Sequence, residues 1–141
     1  MATSLNASDR TRITAAIRAA ERGHRGEIVV HVEARCMRDP LRRAARLFSK
    51  LGVDRTREHT GVLLYLATAS RRAAVWADSG VIGGDRSETW RAVFAALDAG
   101  RISSDPVAGI CNAIEAIGAV LGSVAAGPDH HGNELRDRAS S

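Results

Sequence analysis

Apolar positions along the chain follow two rhythms, one near 3.6 residues and one of 2, and together they mark out seven elements. Ile13, Ala16, Ile17 and Ala20 recur at helical spacing. Ser8 is the expected N-cap, Asp9 suits the positive end of the helix, and Gly23 supplies a stop. GEIVVHVEAR (Gly26 to Arg35) then alternates as a strand does: Ile28, Val30 and Val32 share one face, and Glu27, Val29, His31 and Glu33 the other. Asp39-Pro40 opens a second helix, with Asp39 capping it and Pro40 in its first position. Leu41, Ala44, Ala45, Leu47, Phe48 and Leu51 form its inward stripe, and Gly52 ends it.

GVLLYLAT (Gly61 to Thr68) is apolar on both faces, the mark of a central strand covered above and below. The short link ASRR leads into AAVWAD (Ala73 to Asp78), so these two strands are expected to run antiparallel. VIGGDRSE is a glycine-rich break in which Asp85 and Glu88 have capping-box spacing. Trp90, Val93, Phe94 and Leu97 then make a helical face before Gly100. A last helix starts at Ser104-Asp105-Pro106, with Val107, Ile110, Ile114, Ile117 and Leu121 as its buried stripe. Trp76 and Trp90 both lie in apolar patterns that predict burial.

The order is helix, strand, helix, strand, strand, helix, helix. A strand–helix–strand unit crosses over right-handed almost without exception, which makes the first two strands parallel neighbours. The pattern therefore predicts an α/β domain over residues 1–126, with residues 1–7 loose: a small mixed sheet of three to four strands with helices on both faces. From Gly127 the chain is polar and unpatterned, and residues 127–141 are expected to be a disordered tail.

Composition changes this picture in two places. Aromatics are only 4% of the 141 residues, so the core is expected to consist of small and aliphatic side chains. The net charge of +4 is carried by twenty basic residues, all arginine except Lys50. Cys36 and Cys111 lie far apart without a CxxC partner and read as two free thiols. No stretch is expected to span a membrane, and the N-terminus lacks the apolar core of a signal peptide. These features predict a cytoplasmic protein, peripheral to a membrane at most.

GEIVVHVE, DPLRRAARLFSKLGVDRTREHTGVLLYLA and RRAAVWADSGV, followed by a Trp-bearing helix and a final amphipathic helix, resemble the TPM domain family. The resemblance covers about Gly26 to Leu121 and rests on the order and spacing of these segments. The tail's GNEL resembles the end of a short, soluble bacterial branch; where that branch carries Gly-Asp-x-Gly, this chain has Ala77-Asp78-Ser79-Gly80. Membership implies a Rossmann-like α/β/α sandwich. It implies also that some relatives bind divalent metal, that a plant member is ascribed acid phosphatase activity, and that others act as membrane-associated partners.

Three candidate chemistries follow. Ca²⁺ or Mg²⁺ needs several converging oxygens. Glu58 precedes the second strand, Asp78 ends the third and Asp85 lies in the next loop. Antiparallel pairing would place Glu58 and Asp78 at one sheet edge, where α/β folds collect ligands. A metal-dependent phosphomonoesterase would further need a proton-transfer group, for which His59 is nearest in sequence. No Walker loop, GxSxG elbow or HExxH appears. His31 reads as a semi-buried strand residue, and His130-His131 as a pair in the tail without partner spacing.

Between Arg35 and Arg57, eight basic residues stand against Asp39 and Asp54, a local charge of +6 that exceeds that of the whole chain. Arg42, Arg46 and Lys50 have i, i+4 spacing, with Arg43 beside them, so one helix face is positive and open to an acidic protein or a membrane surface. Aromatic interleaving for base stacking is absent, which argues against single-stranded nucleic acid. A non-catalytic binding module for such a partner is thus one expectation, and the metal-dependent phosphatase the other.

Overall fold

Asn6 rather than Ser8 starts the first helix, α1 (Ala7–Ala20). Its side chain accepts from the Asp9 backbone N–H while the Asp9 carboxylate accepts from the Asn6 N–H, a reciprocal capping box with Asn and Asp in place of the commoner pair. Asn6 and Ser8 are both able to cap; Asp9, three positions after Asn6, selects Asn6.

The structure is a computed structural model and describes residues 5–81, 87–124 and 139–140. After α1 come β1 (Glu27–Glu33), α2 (Pro40–Lys50), β2 (Gly61–Ala67), β3 (Arg72–Ala77), α3 (Arg91–Arg101) and α4 (Pro106–Val124), and then a two-residue strand, β4 (Ala139–Ser140). Single 3-10 turns occupy Val53–Arg55 and Ser87–Trp90. The sheet order is β3-β2-β1-β4. β1 and β2 are parallel, Glu27 opposite Gly61 through Glu33 opposite Ala67. β3 returns antiparallel to β2, with Leu64 opposite Val75. Within the stretch expected to be a tail, Ala139 and Ser140 pair with Val30 and His31 along the far edge of β1; His130 and His131 lie outside the described residues.

The alternation in β1 divides the core into two layers. Ile28, Val30 and Val32 join Val62, Leu64, Leu66 and Val75 beneath α1, α3 and α4, which contribute Ile13, Ile17, Val93, Ile114, Ile117 and Leu121. Val29, Leu63, Tyr65, Ala67 and Ala74 face the other way, under Ala44, Leu47 and Phe48 of α2. All seven residues of β2 are buried, as its two-faced apolar pattern requires.

On α2, Asp39 accepts the Leu41 N–H with Pro40 at the first turn, and Gly52 leaves the helix at φ 76°, a left-handed conformation that glycine adopts at little cost. Leu41, expected in the inward stripe, is instead 46% exposed. Trp90 is buried as expected, but Trp76 is 37% exposed. It lies on the outermost strand β3 with the same parity as Ala74, on the face that α2 covers, and there the edge position leaves it in partial contact with water.

Pro106–Ser123 of α4 is long and apolar enough to cross a membrane by length and composition. Small and aliphatic residues make up most of that stretch, interrupted by Asn112 and Glu115. In this fold its Ala113, Ile114, Ile117 and Leu121 side chains are completely buried against α1 and the sheet.

Candidate functional site

Glu58, His59 and Asp78 come together where β2 begins and β3 ends. A tight turn brings the chain there: the His59 N–H donates to the Thr56 carbonyl, and the Thr60 N–H to Thr56 Oγ1. His59 takes a φ of 56°, left-handed and strained for a residue with a Cβ, though histidine tolerates it better than most. Its carbonyl then accepts the Gly80 N–H at 2.7 Å. A Cβ on Gly80 would lie 2.2 Å from the Glu58 carbonyl oxygen and 2.4 Å from that of His59, so only glycine lets the two loops close.

Asp78 is held by its backbone N–H on the Gly61 carbonyl at 2.9 Å, and its Oδ1 accepts the Ser79 N–H at 2.7 Å. Oδ2 is buried and has no hydrogen-bond partner among the described residues; His59 Nδ1 lies 3.5 Å away, long for a hydrogen bond. Glu58 is committed elsewhere. Arg25 Nη1 donates to its Oε1 at 2.5 Å, an ion pair about one-third exposed on each side.

A hard cation at this edge would find Asp78 Oδ2 as an unclaimed oxygen. The described residues do not complete a cage around it: no group of three or more His, Cys, Asp or Glu among them is placed to hold an ion. Asp85, the third expected ligand, lies outside the described residues. With Glu58 tied to Arg25, the described donor set does not fit a bound Ca²⁺ or Mg²⁺ by itself.

The four expected cationic residues of α2 divide. Arg42, Arg46 and Lys50 are exposed and follow one another at single-turn intervals along the helix. Arg43 turns inward instead, its Nε donating to Glu33 Oε2 and its Nη2 to Glu33 Oε1, each at 3.0 Å. This two-pronged contact fastens α2 to the end of β1.

Glu33 is the centre of a network that the sequence patterns missed. The Tyr65 hydroxyl donates to its Oε2, and His31 Nε2 lies 3.2 Å from its Oε1. The His31 and Tyr65 rings, opposite each other in the β1–β2 register, stack at 6.1 Å. Burial alone would raise the Glu33 carboxyl; the hydrogen bonds from Arg43, Tyr65 and His31 outweigh it and bring the group down to about 2. Burial, and then the bond to Glu33, pushes the Tyr65 phenol up. A signal was present in the sequence: Glu33 and His31 share a strand face with buried Val29, and an arginine waits in the first turn of the next helix. A charged end to a face that a helix must cover calls for a partner on that helix.

No curated protein matches the chain. Among solved structures it is similar to the BA42 protein of the psychrophilic bacterium Bizionia argentinensis, at 28% identity and a TM-score of 0.85 over 98% of this chain and 95% of that one. It shares the fold of the N-terminal domain of a protein from P. gingivalis, with 22% identity, a TM-score of 0.70 and coverage of 90% and 83%. The N-terminal domain of a Corynebacterium glutamicum protein has the same fold at 18% identity, with a TM-score of 0.62 and coverage of 91% and 82%. The family model of the TPM domain matches residues 1–120, so with the α/β architecture and the order of its segments the chain belongs to the TPM domain family.

Proposed function

We propose that this TPM domain is a non-catalytic binding module that docks an acidic or membrane-associated partner on the cationic row of α2. The observation that supports this reading is the exposure of Arg42, Arg46 and Lys50 at one-turn spacing on a helix whose orientation Arg43 and Glu33 fix. A rigid row presents charge without the entropy cost of ordering a loop, and arginine suits planar anions. The experiment is binding of a fluorescent polyglutamate peptide at low salt. Charge reversal at Arg42, Arg46 and Lys50 together should abolish it, and EDTA should leave it unchanged. Undiminished binding by the reversed variant sinks the proposal.

A second reading, a divalent-metal-dependent phosphomonoesterase, draws support from Asp78 Oδ2, which has no hydrogen-bond partner among the described residues, with His59 beside it. Asp78 and Asp85 would hold Ca²⁺ or Mg²⁺, and His59 would assist proton transfer; Glu58 would first have to leave Arg25. Amide NMR titration with each ion tests it directly. Shifts centred on Asp78 that vanish in Asp78→Ala, together with EDTA-sensitive hydrolysis of an aryl phosphate, support an enzyme. Silence of those amides at millimolar metal removes it.

A further inference from the structure

Two loops meet at the carboxyl ends of β1 and β2. One runs from Ala34 to Asp39, the other from Thr68 to Arg71, and backbone bonds lace them together. The N–H groups of Ala69 and Ser70 both donate to the Ala34 carbonyl, at 2.7 and 3.3 Å. The Cys36 N–H donates to Ser70 Oγ at 2.9 Å, and Arg72 Nη1 to the Arg38 carbonyl at 3.0 Å. The tip is therefore a fixed surface rather than two independent loops.

Its composition is unusual in a specific way. Met37 is 86% exposed and Leu41, in the first turn of α2, is 46% exposed. Around them Arg35, Arg38, Arg42, Arg71 and Arg72 are all exposed. The loops and that first turn hold a single acid, Asp39, whose carboxylate is occupied in capping α2. Glu33 just beneath is already paired with Arg43.

Exposed arginines alone would fit many anions. Two large apolar side chains held out among them narrow the choice, because a phosphate-rich surface with an apolar layer beneath satisfies both at once. A nucleic acid would leave Met37 and Leu41 without apolar contact, and the tip has no aromatic ring for a base to stack on.

We propose that this tip docks on an anionic lipid bilayer, with Met37 and Leu41 entering the boundary between headgroups and acyl chains and the arginines pairing with lipid phosphates. This rests on the reading of the domain as an anion-docking module and moves the contact from the length of α2 to its N-terminal end.

The test is flotation of the purified full chain with phosphatidylcholine vesicles, with and without phosphatidylglycerol. Binding is expected only with phosphatidylglycerol and is lost at high salt. Met37→Ser with Leu41→Ser should lower the partition about tenfold, and Met37→Ser alone, at a nearly fully exposed position, should account for part of that without touching the fold. Arg71→Glu should cost at least about fivefold. Arg22→Ser with Arg55→Ser, both exposed near the opposite ends of β1 and β2, should stay within about twofold of the parent. Absence of binding to phosphatidylglycerol vesicles overturns the proposal. So does binding that Met37→Ser and Leu41→Ser leave intact, or a single-stranded RNA that displaces the vesicles and binds the serine variants equally well. Polyglutamate binding separates the two readings: if it persists and depends on the α2 row while vesicle binding fails, the module stands and the bilayer falls.

Discussion

At the carboxyl ends of β1 and β2, Glu33 receives hydrogen bonds on both oxygens, whereas at the opposite end of the same strands Asp78 keeps Oδ2 buried with no hydrogen-bond partner among the described residues. Both acids are partly buried, and both sit where a strand meets a loop. The difference lies in what the neighbouring elements bring. Opposite Glu33, α2 presents Arg43 and β2 presents Tyr65, so its charge is spent inside the protein. Opposite Asp78, the turn brings His59 only to 3.5 Å, and Arg25 goes to Glu58 instead. A satisfied acid is a structural fastening, whereas a buried oxygen without a partner among the described residues calls for one.

The sharpest way to break this contrast is to make the same carboxylate-to-amide change at both ends. Glu33→Gln removes the charge that Arg43 and Tyr65 were arranged around, and should cost about 3 kcal/mol in urea unfolding. A loss below about 1 kcal/mol would mean the network is decoration. Acid titration gives the same answer from the other direction. The folded-state value near 2 lies below the ordinary 4.5, so the contribution is complete above about pH 4.5 and disappears as pH falls toward 2. That lowering corresponds to about 3 kcal/mol, and Glu33→Gln should remove that part of the pH dependence.

How much of this was legible beforehand follows the same division. β1, α2, β2 and β3 announce themselves because each buries a patterned face, and the parallel then antiparallel pairing follows from connection length. Local cues also placed Asp39 and Pro40 correctly. What a one-dimensional pattern does not carry is which long side chain reaches which. Arg43 has the same periodic neighbours as Arg42 and Arg46, and only the packing of α2 over the sheet turns it onto Glu33. Likewise Glu58 and Asp78 can be placed at one edge from topology, but that Arg25, thirty-three residues upstream, takes the Glu58 carboxylate depends on tertiary geometry. Trp76 misleads for a related reason: its strand is apolar, but its strand is the outermost one.

Gly80→Ala probes the other end through its backbone. A methyl group there would collide with the carbonyl oxygens of Glu58 and His59, which side-chain adjustment cannot relieve. The two loops should separate at a cost of about 2 kcal/mol, with amide shifts at His59, Asp78 and Gly80 and little change at Glu33. Stability equal to the parent would show that the loops do not depend on this close approach.

Asp78→Asn should have the smallest effect, and the most informative one. The amide oxygen can keep the Ser79 N–H bond, while the substitution removes a charge whose second oxygen has no partner. Stability should therefore change by no more than about 0.5 kcal/mol, and toward greater stability, because a buried carboxylate oxygen without a hydrogen bond from the described residues is a cost. A loss of about 1 kcal/mol or more would mean that Oδ2 has a partner in solution, and measuring the same pair of proteins with added Ca²⁺ or Mg²⁺ identifies which kind. If the ion stabilises the parent and not Asp78→Asn, the partner is the metal. If the gap between the two persists unchanged in EDTA, the partner is not a metal ion, and the two ends of the sheet differ less than their geometry indicates.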